Sequence, residues 1–320
     1  MVKNQNAEEN MSGKWKVFWV ASLAFVVLFQ ACGMHSWEEF VVSKEDEKRM
    51  GREFDSLVRA GHPDVMASGE TLFEPNGSEQ QAFMDYYKAR GREIVNVIDA
   101  KDVDALIPTN SNLCGGGSSK QKCTKDNFFE FQIIKSSQLN AFAVPGGYVY
   151  FYTPILKFFD SEAELMGVLA HEVGHIVMHH SRDRMVKAAG ATIGISVLLG
   201  EGIGALLATL GSSVWLMGHS QANEFEADSV AYYYTNKIGV SSIGISDFFG
   251  RPLETDEKGN CKNPEKESSV LDVFSTHPPS CERIQKNNDR IAKSGQTLST
   301  HPLNRKELGD FAELVRAANL

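Results

Sequence analysis

Residues 171–175 read His-Glu-Val-Gly-His, and no other stretch of the chain limits its fold so tightly. Two imidazoles four residues apart on a helix project from one face, where both can bind a single zinc ion. Glu172 stands beside them, suited to taking a proton from a metal-activated water. Chance also produces such pentapeptides, so the surroundings decide. Ser161-Glu162-Ala163-Glu164 reads as a capping box, with Ser161 as N-cap and Glu164 reaching back. Leu165, Val168, Leu169, Ile176 and Val177 follow at helical spacing. The motif is therefore expected inside an amphipathic helix that ends near Arg182 or Arg184, where cations suit the negative end of the helix dipole.

A catalytic zinc needs a third protein ligand and an open position. The metzincin pattern, with a Gly three and a His six residues after the second His, is excluded, because Met178 and Ser181 hold those places. His179 and His180 read as helix-end residues, since a third ligand from one straight helix would lie too far along an axis that rises about 5.4 Å per turn. The better candidate lies in Asn223-Glu224-Phe225-Glu226-Ala227-Asp228. Glu224 and Asp228, four apart, share a helical face. Glu224 is expected as the third ligand, and Asp228 as the acceptor that orients a ligand histidine. Glu226 points elsewhere on that helix.

These segments resemble the M48 zinc peptidases. The likeness rests on 140–150 (Asn-Ala-Phe-Ala-Val-Pro-Gly-Gly-Tyr-Val-Tyr), the run Ser161 to His175, Glu224 to Asp228, and Thr276-His277-Pro278-Pro279 followed by Arg283-Ile284. Within the family the chain looks most like the single-domain periplasmic branch attached to the outer membrane, and unlike the branch with many spanning helices. The resemblance implies an α+β fold, mainly helical and zincin-like (a gluzincin), with a small β-sheet. It implies one zinc per chain, held by His171, His175 and Glu224, and a zinc endopeptidase with Glu172 as general base. It brings His277 near the metal, as an oxyanion donor or as an imidazole on the fourth zinc position, with Tyr148 and Arg283 as further oxyanion candidates. It assigns substrate-backbone binding to the strand around Ala141 to Val144, which an ordinary core hairpin would also satisfy. Misfolded or misassembled envelope proteins are the implied substrates. Two other readings stand beside it: a chaperone-like outer-membrane assembly factor with little or no proteolysis, and a proteolytically silent scaffold with a structural metal.

Lys14 and Lys16 precede an apolar run from Val17 to Phe29, about thirteen residues, which suits a signal peptide better than a spanning helix. Phe29-Gln30-Ala31-Cys32 resembles a bacterial lipoprotein cleavage box, and Met11 offers a cleaner start than Met1. The expected organisation is a leader over residues 1–31, a peptidase domain over 32–293 and a tail over 294–320. The mature protein is expected in the periplasm of a Gram-negative bacterium, lipid-anchored to the outer membrane through Cys32 and open to contact with outer-membrane assembly machinery. With Cys32 lipidated, four of five cysteines remain, in two local pairs: Cys114 with Cys123, and Cys261 with Cys281. Four reduced thiols are the alternative.

At 320 residues and 42% hydrophobic, the chain can bury one sizeable core. A net charge of -9 gives no reason to expect a nucleic-acid partner. Helices are expected from Lys44 to Ala60, capped by Ser43, and from Gln81 to Val97. Strands are expected from Phe129 to Ile134 and from Tyr148 to Tyr152, with Pro145-Gly146-Gly147 turning between them. Ala188 to Gly218 is apolar and rich in small residues; it is expected to cap the core or to dock on a membrane or partner. Arg251 to Ser269 reads as a surface insertion, and Asp310 to Ala318 as a last short amphipathic helix.

Overall fold

The helix carrying residues 171–175 is the element around which the others pack. In the computed structural model, residues 42–108, 111–114, 121–189, 218–255, 261–262, 276–295 and 311–320 are described. Expectations for the leader, for Cys32, for the loop 115–119, for residues 190–217 of the apolar stretch and for most of 256–275 lie outside them. In chain order the elements are α1 (Lys44–Arg59), β1 (Thr71–Leu72), α2 (Ser78–Asn96), α3 (Ala100–Leu106), α4 (Lys125–Phe128), β2 (Glu130–Lys135), β3 (Ala141–Val144), β4 (Tyr148–Tyr152), α5 (Thr153–Phe158), α6 (Glu162–Val177), α7 (His180–Ala189), α8 (Gln221–Lys237), α9 (Ile243–Gly250), β5 (Glu254–Thr255), β6 (Cys261–Lys262) and α10 (Cys281–Lys293). The fold is α+β and mainly helical, with a small mixed sheet, as expected.

Every residue of α6 is buried. The amphipathic spacing understates this, because α8, α9, α2 and β3 together cover all sides of the helix. Polar groups so placed need partners. Glu162 accepts hydrogen bonds from Tyr86 (2.5 Å) and Arg90 (3.1 Å). The N-terminus forms as expected, with Ser161 Oγ accepting from the Glu164 N–H at 3.1 Å. The Glu164 carboxylate reaches one residue further back than a capping box requires, to the Asp160 N–H at 2.7 Å.

The far end differs from expectation. α6 stops at Val177, and Arg182 and Arg184 belong to the next helix. His179 breaks the path with a φ of 55°, a left-handed conformation uncommon outside glycine. Glu47 of α1 holds the break, with its carboxylate 2.9 Å from His179 Nδ1 and 3.3 Å from Arg182.

The main sheet has the order β1-β2-β4-β3. β2 runs parallel to β4, while β3 is antiparallel to it at the edge. The turn at 145–147 thus joins β3 to β4, and the two strands read from sequence are parallel neighbours. Gly147 makes that turn possible: its φ is 93°, and a Cβ there would meet Phe128 O at 2.4 Å. Both faces of β4 are buried. Phe54 of α1 packs on Phe142 and Tyr150, and Tyr87 of α2 packs on Phe131 and Phe151. Residues 311–317 form the expected last helix, whose Phe311 lies against Phe83, Tyr86 and Phe159. Disulfides join Cys114 to Cys123 and Cys261 to Cys281, the two expected pairs. Among the described residues no helix is long and apolar enough to cross a membrane.

Candidate metal centre

α6 and α8 approach each other at Gly174, inside the His-Glu-Val-Gly-His stretch. A Cβ on Gly174 would meet Ala227 O at 3.1 Å and Val230 Cβ at 3.2 Å. That closeness brings Glu224, one turn earlier on α8, against both histidines of α6. His171 Nε2 and His175 Nε2 lie 3.0 Å apart, each 3.4 Å from a Glu224 carboxylate oxygen. His277, just before α10, completes the group, its Nδ1 3.2 Å from both His171 Nε2 and Glu224 Oε1. The ligand atoms of these four buried side chains lie within 4.8 Å of one another. Two imidazole nitrogens, a carboxylate and a further imidazole form a donor set that suits zinc.

The charge of this pocket is balanced from α10. Arg283 is fully buried and pairs with Asp228 through two nitrogens, at 2.8 and 2.7 Å. Its third nitrogen lies 2.8 Å from Glu224 Oε2 and donates to Pro278 O at 3.0 Å. The guanidinium also lies over the Phe249 ring, 4.2 Å from its centre. Asp228 in turn sits 3.0 Å from His171 Nδ1, on the ring edge opposite the cluster. A carboxylate there keeps the His171 proton on Nδ1 and leaves Nε2 free to ligate.

Burial opposes charge on Glu224, but Arg283, His277 and His171 outweigh it and hold the carboxyl well below its ordinary range. Burial pushes His175 well below the usual imidazole range and so keeps it neutral. Burial also works against charge on His171, yet Asp228 and Glu224 raise it to about 9. Burial raises Glu172, with His277 and His171 opposing. Glu172 Oε1 lies 3.3 Å from His277 Nε2, and neither carboxylate oxygen has a hydrogen-bond partner. A buried and relatively basic carboxylate with no hydrogen bond to either oxygen, beside a donor cluster, is poised to accept a proton.

His171, Glu172, His175, Glu224, Asp228 and His277 thus come together. The other two oxyanion candidates fare differently. Arg283 reaches the cluster, but its nitrogens are taken by Asp228, Glu224 and Pro278 O. Tyr148 lies under Lys48 Nζ, 4.4 Å from its ring centre, and faces the charges of Asp55, Glu130 and Arg52. Two residues near the pocket escape a reading of the sequence. His180 is not a bystander at the helix end: its Nδ1 lies 2.8 Å from His175 Nδ1. His219 stacks on His175, with ring centres 3.8 Å apart. The break at His179 returns His180 toward the pocket, and no residue pattern announces it.

The geometry defines a buried site built from a helical histidine pair with its glutamate, completed by a carboxylate from a second helix. Residues 117–291 match the Peptidase family M48 model. The chain belongs to that family. It is 27% identical over 229 residues to the beta-barrel assembly-enhancing protease of Yersinia pestis, covering 68% of this chain and 44% of the relative. It is 28% identical over 172 residues to metalloprotease LoiP of Escherichia coli strain K12, covering 52% and 64%. The mitochondrial metalloendopeptidase OMA1 of Arabidopsis thaliana is 30% identical over 150 residues, covering 47% and 29%. The chain spans less than half the length of the beta-barrel assembly-enhancing proteases it matches.

Removing Arg283 would leave two buried carboxylates unbalanced. In metal-free protein, Arg283→Met is expected to lower unfolding stability by about 3–5 kcal/mol. Arg283→Lys should recover only part of this, since an ammonium cannot serve both carboxylates as a fork does. Urea unfolding in the presence of a chelator measures both, and a loss below about 1 kcal/mol for the Met variant would contradict the balance.

Proposed function

We propose that the chain is a zinc-dependent endopeptidase acting on misfolded or misassembled envelope proteins. The observation that carries this reading is the convergence of His171, His175 and Glu224 in one buried group, with Glu172 beside it and neither of its oxygens hydrogen-bonded. His171 Nε2, His175 Nε2 and a Glu224 oxygen would hold one zinc, with Asp228 orienting His171. When bound, zinc supplies a Lewis acid and lowers the pKa of a water toward about 7. Glu172 then takes the proton of the attacking water and passes it to the leaving amine, a role that its raised pKa favours. β3 lies at the sheet edge beside α6, which supports the reading that an extended substrate pairs there. One of its carbonyls, on Ala143, is already taken by Ser181 Oγ at 3.0 Å.

The substrate class rests on the relatives, whose printed name joins proteolysis to β-barrel assembly. The assembly half of that name is what the second reading draws on, an assembly factor with little or no proteolysis, and the word protease in it favours the first. The proposed location is the periplasmic face of the outer membrane, with the anchor on Cys32. The proposed boundaries remain a leader over 1–31, a peptidase domain over 32–293 and a tail over 294–320.

Glu172→Gln should keep zinc and lose proteolysis, with turnover of casein or an unfolded porin falling by about 10²–10⁴. Metal analysis beside a digestion assay checks this. Full activity in the variant would remove Glu172 as the base, and no activity in the zinc-loaded native chain would favour the assembly factor.

His277 has two proposed roles that act in opposite directions. As an oxyanion donor, its loss in His277→Ala should lower turnover by about 10²–10³ while zinc stays bound. As a fourth ligand that keeps the resting site closed, its loss should raise basal proteolysis. Its Nδ1, grouped with the three other ligand atoms, supports the second role. Comparison of turnover and self-cleavage between the variant and the native chain decides, and equal values would remove His277 from the site.

A further inference from the structure

The side of His175 that faces away from the cluster is occupied by a chain of polar contacts that no ligand requirement explains. His175 Nδ1 lies 2.8 Å from His180 Nδ1, and His180 Nε2 lies 3.0 Å from Glu226 Oε2. His180 is buried, whereas the Glu226 side chain is 57% exposed, so the chain leads from the pocket to the surface. The protons along it have only one consistent arrangement once His175 Nε2 is a ligand. His175 must then carry its proton on Nδ1 and donate to His180 Nδ1. His180, accepting at Nδ1, carries its own proton on Nε2 and donates to the Glu226 carboxylate. Every ring nitrogen is used, and each contact has a donor and an acceptor.

We propose that His180 and Glu226 are positioning residues for the metal ligand His175, a relay in which His180 fixes its tautomer and ring orientation and Glu226 fixes those of His180. This inference rests on the zinc reading of the site. It gives His175 what Asp228 gives His171, a partner behind the ligand nitrogen, but through one extra ring. Asp228 reaches its histidine directly from the zinc-facing side of α8. Glu226, two residues earlier, points away from that side and meets His180, which the His179 break turns back beneath His175. His180, His175 and His219 could also be taken for a second metal site. The proton on His175 Nδ1 excludes that while His175 Nε2 binds zinc. His219, stacked on the His175 ring, covers it and adds no acceptor to its Nδ1.

The test is zinc affinity, measured by competition with a chromophoric chelator on the purified chain, with thermal melting of each metal-free variant alongside. His180→Ala should weaken zinc binding about 10–100-fold. His180→Asn, whose side-chain oxygen can take the His175 proton, should recover most of that loss. Glu226→Ala should weaken binding by a smaller factor, and this effect should vanish in the His180→Ala background, because the relay is already cut. Wild-type affinity in His180→Ala, equal losses in the Ala and Asn variants, or an undiminished Glu226 effect in the double variant would overturn the relay. Should His180→Ala not fold, Glu226→Ala on the exposed end decides: unchanged zinc affinity overturns the proposal, and weaker affinity with unchanged metal-free melting supports it. A native chain that binds no zinc would instead overturn the metal reading itself, so the two failures are distinguishable.

Discussion

The structure depends on burying two carboxylates of α8 against one arginine of α10. Glu224 and Asp228 face the centre of the molecule because α8 lies along α6, and each would be costly there without a counter-charge. Arg283 meets both, and its stacking on Phe249 fixes the plane of the fork. Three consequences follow. Glu224 stays anionic among histidines, Asp228 is held against His171, and α10 is tied to the pocket together with the Thr276–Pro279 segment that bears His277. The Cys261–Cys281 disulfide joins the first residue of α10 to β6, two residues before Arg283. The electrostatics of the site and the placement of α10 are therefore one problem, solved once.

Much of this was legible in the residues. The spacing of His171, Glu172 and His175, and of Glu224 and Asp228, names the cluster because helical geometry makes four-residue separations neighbours. Ser161 announces the start of α6. Glycine at position 174 could be read only in retrospect, since its purpose is the approach of another helix. The end of α6 is not legible: Arg182 and Arg184 look like favourable C-terminal charges, yet tertiary contacts from Glu47 stabilise a break at His179. That break turns His180 from a bystander into a partner of His175. Glu226 lies off the cluster-facing side of α8, as its helical phase predicts, but its partner His180 is not readable from periodicity within one helix.

The sheet shows the same division. Strand positions follow from β-rich aromatic runs and from the glycines at 146 and 147, while the parallel pairing of β2 with β4 is a long-range choice that local pattern does not encode. Inserting β4 between β2 and β3 leaves β3 at the edge, beside α6, the edge on which the proposed function seats an extended substrate. His277 lies between Glu172 and Glu224 and so shares that same space.

Under the proposed function, His171, His175 and Glu224 hold one zinc ion. Zinc-edge X-ray absorption on the purified, zinc-loaded chain, with bound metal counted on the same sample, tests it most directly. One zinc per chain is expected, in a shell of nitrogen and oxygen only, with imidazole scattering from at least two histidines and distances of about 2.0–2.2 Å. Sulfur at about 2.3 Å, or a spectrum unchanged in a Glu224→Ala, His175→Ala double variant, would contradict it.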